Sequence, residues 1–261
     1  MTRPPRRSRA SSTRTRAPAA ESSRAAVRPA TPAPMITTCG SVINGLDSSS
    51  MTDLDHVEQL QSCSGSMFRE LYEIYAASIA VREQKPEAWI CAMVRAPDHW
   101  VGVMKDAGHV KGFSILFLPP AERFALLEYM AVTPERRNRG LGSALFKQTV
   151  APHASLPILL EVDSDREASA DRGLRTRRQQ FYRRLGCMRV SGLHYILPLP
   201  GQGPVPEMDV MLYSAEPLRQ LPKGDLERWL RTIYRDVYRC SFDDPRIDRM
   251  LHDVSDPVRL E

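Results

Sequence analysis

Arg137-Asn138-Arg139-Gly140-Leu141-Gly142 is the stretch whose residue types and spacing point most directly to chemistry. Two glycines between an apolar strand and a helix let the backbone approach a ligand closely and leave several N–H groups free at the helix N-terminus. Such a turn is an anion site, suited to a pyrophosphate; the plainer alternative is a glycine-rich turn shaped by packing alone. Two carboxylates sit inside apolar runs on either side of it. Glu128 interrupts FALLEYMAV at 124–132, and Glu161 lies between Leu160 and Val162. A carboxyl amid apolar neighbours should have a raised pKa, which suits a general base near neutral pH. The competing reading for each is an ion pair with a nearby arginine. Arg175, Arg177, Arg178, Arg183 and Arg184 make a dense basic face, which reads either as solvated surface or as a site for an acidic ligand. Trp89, Trp100 and Tyr195 are candidates for an acceptor pocket, with ordinary core packing as the alternative.

These residues need elements to position them. Phe68, Leu71, Tyr72, Ile74, Tyr75 and Ile79 recur at helical spacing, and Pro86 bounds that helix. Segments 99–105 and 110–118 flank the turn Asp106-Ala107-Gly108 and read as a hairpin. Segment 124–132 is apolar on both faces and therefore a central strand. A helix over 140–150, a buried strand over 157–162 and an acidic loop over 163–173 follow. Then come a helix over 174–185 closed by Gly186 and strands over 187–197 and 208–213. This order predicts an α/β (α+β) domain around one mixed sheet. Beyond it, Asp225 is placed to N-cap a helix carrying Leu226, Trp229, Leu230, Ile233, Val237 and Tyr238. Residues 214–261 thus read as a C-terminal helical extension: a docked cap, a homodimer contact or a substrate lid.

Residues 124–142 (FALLEYMAVTPERRNRGLG) resemble motif A of the GNAT superfamily of acetyl-CoA-dependent N-acetyltransferases. Phe181-Tyr182-Arg183-Arg184-Leu185-Gly186-Cys187 resembles the family's F/L-Y-x-x-L-G-F motif, with Cys187 in place of the usual aromatic. The strand Leu160-Glu161-Val162-Asp163 lies between the two, as in the family. The resemblance covers about 67–213. It implies a mixed, mostly antiparallel central sheet flanked by helices. It also implies a coenzyme A thioester held by Arg137, Asn138, Arg139, Gly140, Leu141, Gly142 and Ser143. Met130, Ala131 and Val132 would lie along the pantetheine arm and supply an oxyanion donor from the backbone. The reaction asks for a base, taken as Glu128 or Glu161, and for an acid at the departing sulfur, taken as Tyr182. The expected activity is acetyl transfer from acetyl-CoA to a primary amine of a small or amino-acid-like acceptor. Transfer to a protein Nα or lysine amine is an alternative, as is a non-catalytic acyl-CoA-binding or nucleic-acid-contacting module. The loop 163–177 is longer and richer in arginine than in compact members of the family.

Composition bounds these readings. The chain has 261 residues and a net charge of +5, enough for one domain with extensions. Residues 1–35 hold eight arginines against the single acid Glu21. That tail alone carries +7, which leaves about −2 for the rest and argues against a nucleic-acid partner. Its Arg/Ala/Pro/Ser/Thr composition reads as a disordered basic tail. Residues 36–66 read as a polar linker with room for one short element, order beginning near Met67. The five cysteines are odd in number and form no C-x-x-C pair. They argue for a reducing, cytoplasmic setting and against a disulfide framework or a structural zinc site. No metal ligand set is expected from the six histidines. No run of apolar residues is long enough to span a membrane, and the N-terminus lacks the apolar core of a secretory signal.

Overall fold

The computed structural model describes residues 56–137, 139–166, 168–199 and 207–261. Its centre is strand β4 (Ala125–Val132), buried at every position. β4 is continuous with β2 (His99–Asp106) and β3 (His109–Phe117), which form the expected hairpin and pair antiparallel. β1 (Val57–Gln59) adds to the edge beside β2. On the other side β4 meets β5 (Ile158–Asp163) in parallel, and β5 pairs antiparallel with β8 (Glu207–Tyr213). β6 (Met188–Arg189) and β7 (Tyr195–Ile196) both pair with β8. The result is an eight-stranded, mostly antiparallel mixed sheet in the order β1-β2-β3-β4-β5-β8-β6, with β7 beside β8.

Side chains on β4 divide between two cores because successive residues of a strand face opposite ways. Tyr129 and Ala131 join Leu71, Ile74, Tyr75 and Ile90, which come from helices α1 (Ser66–Ser78) and α2 (Glu87–Arg95). Met130 and Val132 join Leu141, Leu145 and Phe146 of α3 (Leu141–Val150) and Phe181 and Tyr182 of α4 (Arg172–Arg184). Burying a side chain of this size contributes about 1.5–3 kcal/mol. The extension is part of the second core. Leu226, Trp229, Leu230 and Ile233 of α5 (Lys223–Asp236) and Ile247 of α6 (Pro245–Leu251) belong to it. Trp229 packs on Phe124 with ring centres 5.5 Å apart. A small ribbon of β9 (Gln220–Leu221) and β10 (Val258–Arg259) closes the chain.

Several expectations need correction. The sheet begins ahead of Met67: β1 lies within the segment read as linker, and Leu60 is buried. Three residues are too few for their apolar alternation to show. α1 ends at Ser78, well ahead of Pro86, and Pro86 instead N-caps a second helix, α2. Segment 187–197 is two short strands, divided by Gly192 at φ 77°. Asp225 is not the N-cap: α5 starts two residues earlier, after Pro222, and Asp225 bonds Arg228 within the helix at 2.6 Å. Cys63 and Cys91 form a disulfide, with an S–S distance of 2.08 Å. Packing of α1 and α2 brings together residues 28 apart in the chain, a proximity that cysteine spacing does not reveal. The tail 1–35 and residues 36–55 lie outside the described residues. Among the described residues no group of His, Cys, Asp and Glu could hold a metal, and no helix is long and apolar enough to cross a membrane.

Candidate active site

The loop after β4 folds as its glycines require. Thr133 leads into a short turn at Pro134–Arg136, and the chain then turns into α3 at Gly140 with φ 81°. A β-carbon is disfavoured at that left-handed conformation. One built on Gly140 would meet no heavy atom within 4 Å, so the loop faces open space there. Ser143 and Ala144 donate their N–H groups to the Gly140 carbonyl at 3.0 Å. Leu141 is buried and anchors the turn, while Arg139 and Gly140 are exposed. The first N–H groups of α3, on Leu141 and Gly142, have no intrahelical acceptor by construction and point out of the helix end. Asn138 lies outside the described residues.

Partway along β4 the sheet forks, opening toward the glycine loop. β4 and β5 pair only at Ala125–Ile158, Leu126–Leu159 and Leu127–Leu160. β5 stays on β8 through Asp163, whereas β4 stays on β3 through Val132. Beyond Leu127 no described strand covers the β5-facing edge of β4, so Met130, Ala131 and Val132 present backbone groups to the cleft. The first residues past the last pair are Glu128 on one arm and Glu161 on the other. Thus the two carboxylates singled out in the sequence occupy equivalent positions at the fork.

Their environments differ. The β3–β4 register shifts between Ile115–Tyr129 and Leu116–Leu127, which makes Glu128 the extra residue of a β-bulge. The bulge turns Glu128 and Tyr129 toward the same partner. Lys85 Nζ lies 2.5 Å from Glu128 and 5.4 Å from the Tyr129 ring centre. His99 Nε2 sits 3.0 Å from the other Glu128 oxygen, and its Nδ1 is 2.8 Å from Asp98. Burial pushes the Glu128 carboxyl up, but Lys85 and His99 outweigh it and hold it below the usual range. The expected raised pKa therefore fails for Glu128, whose ion-pair partner is a lysine rather than an arginine. At Glu161, burial dominates and raises the carboxyl to about 7, against hydrogen bonds donated by Tyr195 and Tyr238. The nearby Glu128 charge pushes in the same direction as burial.

Tyr182 lies on α4 with no exposed surface, edge-on to Phe146 of α3 at 5.8 Å and beside Phe181 at 5.1 Å. The arginines of α4 do not act as one face. Arg175 and Arg178 are buried, pairing with Asp171 at 3.1 Å and with Asp163, while Arg177, Arg183 and Arg184 are exposed. Trp89 is half-exposed, Trp100 packs edge-on to His153 at 5.7 Å, and Tyr195 is buried on Glu161. Sequence reasoning missed Lys85, His99 and Tyr238. It also missed Glu83, where burial and the nearby Asp163 charge raise the carboxyl to about 7. Lys85, His99 and Tyr238 reach the fork from three separate parts of the chain, so no local spacing marks them.

The comparisons bear on this geometry. Residues 96–186 match the acetyltransferase (GNAT) domain. They hold the hairpin, the forked strands, the glycine loop and the helix of Tyr182. Among solved structures, a protein from Bacteroides thetaiotaomicron described as a GNAT-family acetyltransferase is 20% identical with a TM-score of 0.54, over 66% of this chain and 91% of that one. The ribosomal-protein-S18-alanine N-acetyltransferase of Escherichia coli is 17% identical with a TM-score of 0.45, over 63% and 96%. A GNAT-family acetyltransferase from Elizabethkingia anophelis, with acetyl-CoA bound, is 12% identical with a TM-score of 0.43, over 62% and 99%. No curated protein matches the sequence. The match spans residues 96–186, about a third of the chain, and the Bacteroides likeness supports the same mixed-sheet fold.

Proposed function

We propose that this protein transfers an acetyl group from acetyl-CoA to the primary amine of a small, amino-acid-like acceptor by direct attack. The observation that carries the reading is the fork: Glu128 and Glu161 flank the point where β4 and β5 part, with the glycine loop at the far end of β4. Acetyl-CoA, when bound, supplies the activated acyl group as a thioester. Leu141 and Gly142 offer N–H groups at the N-terminus of α3 to its pyrophosphate, Ser143 lies beside them, and Arg137 and Arg139 add positive charge. Gly140 keeps the loop free of a side chain where the phosphates approach. The open edge of β4 at Met130–Val132 bonds the amides of the pantetheine arm and aims an N–H at the oxygen that gains charge.

Glu161 serves as the base. Its carboxyl is raised to about 7, so near neutrality it is partly ionised and strong enough to take a proton. It accepts the proton that the amine gives up as the C–N bond forms, through a water if the acceptor stands off. Tyr182 supplies a proton to the sulfur as the C–S bond breaks. Glu128 acts through Lys85 and His99, fixing both side chains at the fork. The test is thiol release from acetyl-CoA across a panel of amines, amino acids and short peptides. Release with at least one small amine, lost in Glu161→Gln near neutral pH, supports the reading. No release with any member, or release only with peptides, contradicts it.

A further inference from the structure

A cavity of about 700 Å³ opens between α2, the start of β2, the β3–β4 connection and the end of α5. Its wall includes Lys85 and His99, the two basic side chains that clasp Glu128, so it adjoins one arm of the fork. Trp89 of α2 and Phe242, just beyond α5, also line it, at 49% and 44% exposed. Single exposed aromatics are ordinary on a protein surface. Two of them on one cavity beside a buried carboxylate make a slot with apolar sides and a few placed charges, the usual form of a small-molecule site.

Most of its charges are already committed. Lys85 and His99 bond Glu128, and Arg235 grips Asp236 through two hydrogen bonds of 2.6 and 2.7 Å. Glu122 stands 3.8 Å from Arg228. Among the described residues, Arg239 alone of the cations on this wall faces no carboxylate. It is exposed and sits at φ 61°, a conformation that favours glycine.

We propose that this cavity binds the acceptor, and that the acceptor is a primary amine joined through an aromatic body to an acidic group. The inference rests on the acetyltransferase reading and names its substrate class. The ring lies between Trp89 and Phe242, and the acid meets Arg239. The amine enters beside Lys85 and His99, at the part of the cavity nearest the fork. Trp89, Phe242 and Arg239 all lie outside residues 96–186, so the choice of acceptor belongs to segments flanking the shared domain.

The test uses three amines with saturating acetyl-CoA and the full chain: 4-(aminomethyl)benzoate, benzylamine, which lacks the acid, and 6-aminohexanoate, which lacks the ring. The expected kcat/KM for the first exceeds each of the others by about tenfold or more. Trp89→Ala and Phe242→Ala raise KM for the ring-bearing amines by about tenfold and leave the calorimetric Kd for acetyl-CoA unchanged. Arg239→Gln erases the advantage of 4-(aminomethyl)benzoate over benzylamine while benzylamine turnover persists. Arg239 is exposed, Trp89 and Phe242 are half-exposed, and the Phe242 ring packs on Arg231 and Arg235, so each variant's melting temperature is compared with the parent's to separate a lost acceptor contact from a lost fold. Equal turnover of the three amines, turnover of none, or unchanged KM in all three variants overturns the proposal while acetyl-CoA binding still stands. Failure of the parent to bind acetyl-CoA removes the underlying reading, and this inference with it.

Discussion

Glu161 and Glu128 are one residue type at equivalent positions, and their surroundings give them different affinities for a proton. Lys85 and His99 keep Glu128 ionised, whereas burial keeps a proton near Glu161 up to about pH 7. The native protein therefore holds the Glu161 proton more tightly than the unfolded chain does. The stability tied to that proton is full below the unfolded pKa and is lost as pH climbs to about 7. Between about pH 5 and pH 8 the parent should lose up to about 3 kcal/mol relative to Glu161→Gln. The check is a widening gap between their melting temperatures. Glu83 shifts with the same sign but is present in both proteins, so it cancels. A constant gap would show that Glu161 does not titrate in that range. Tyr182→Phe keeps the ring that packs on Phe146 and removes one proton donor. Acetyl-CoA binding should persist while turnover falls on the order of 10²–10⁴-fold; a parent turnover rate would remove Tyr182 from the mechanism.

At the scale of elements, a strand of the sheet and the end of a helix in the C-terminal extension meet at a single carboxylate. Tyr195, at the start of β7, and Tyr238, just past α5, both donate to Glu161. These bonds oppose the effect of burial. Tyr238→Phe should therefore raise the acidic limb of the kcat/KM profile by on the order of one pH unit. A purely structural Tyr238 would lower the melting temperature and leave that limb in place. Much of this frame was legible from sequence. The apolar run 124–132, the hairpin turn at 106–108 and the glycine at 140 each carry their own local signal. Other features were not legible, because they arise from pairing between distant segments. The bulge at Glu128 exists only in the register of β4 against β3, and the fork exists only where β5 leaves β4 for β8. Lys85 was invisible for the same reason, since it lies 43 residues from Glu128.

Across the whole molecule, the extension and the domain share one core. Trp229 is 6% exposed and rests on Phe124 at the start of β4. Trp229→Ala should cost about 3–5 kcal/mol, read from chemical denaturation. A loss below about 1 kcal/mol would show that the extension is a loosely docked cap. The account also makes the glycine loop the grip on the cosubstrate, at the end of β4 remote from this packing. Calorimetric titration with acetyl-CoA tests that most directly, using the parent and Gly142→Val, a helical position that tolerates a β-carbon better than the left-handed Gly140. The account predicts one-to-one binding by the parent and its loss in Gly142→Val at an unchanged melting temperature. No binding by the parent, or equal affinity in the variant, would contradict it.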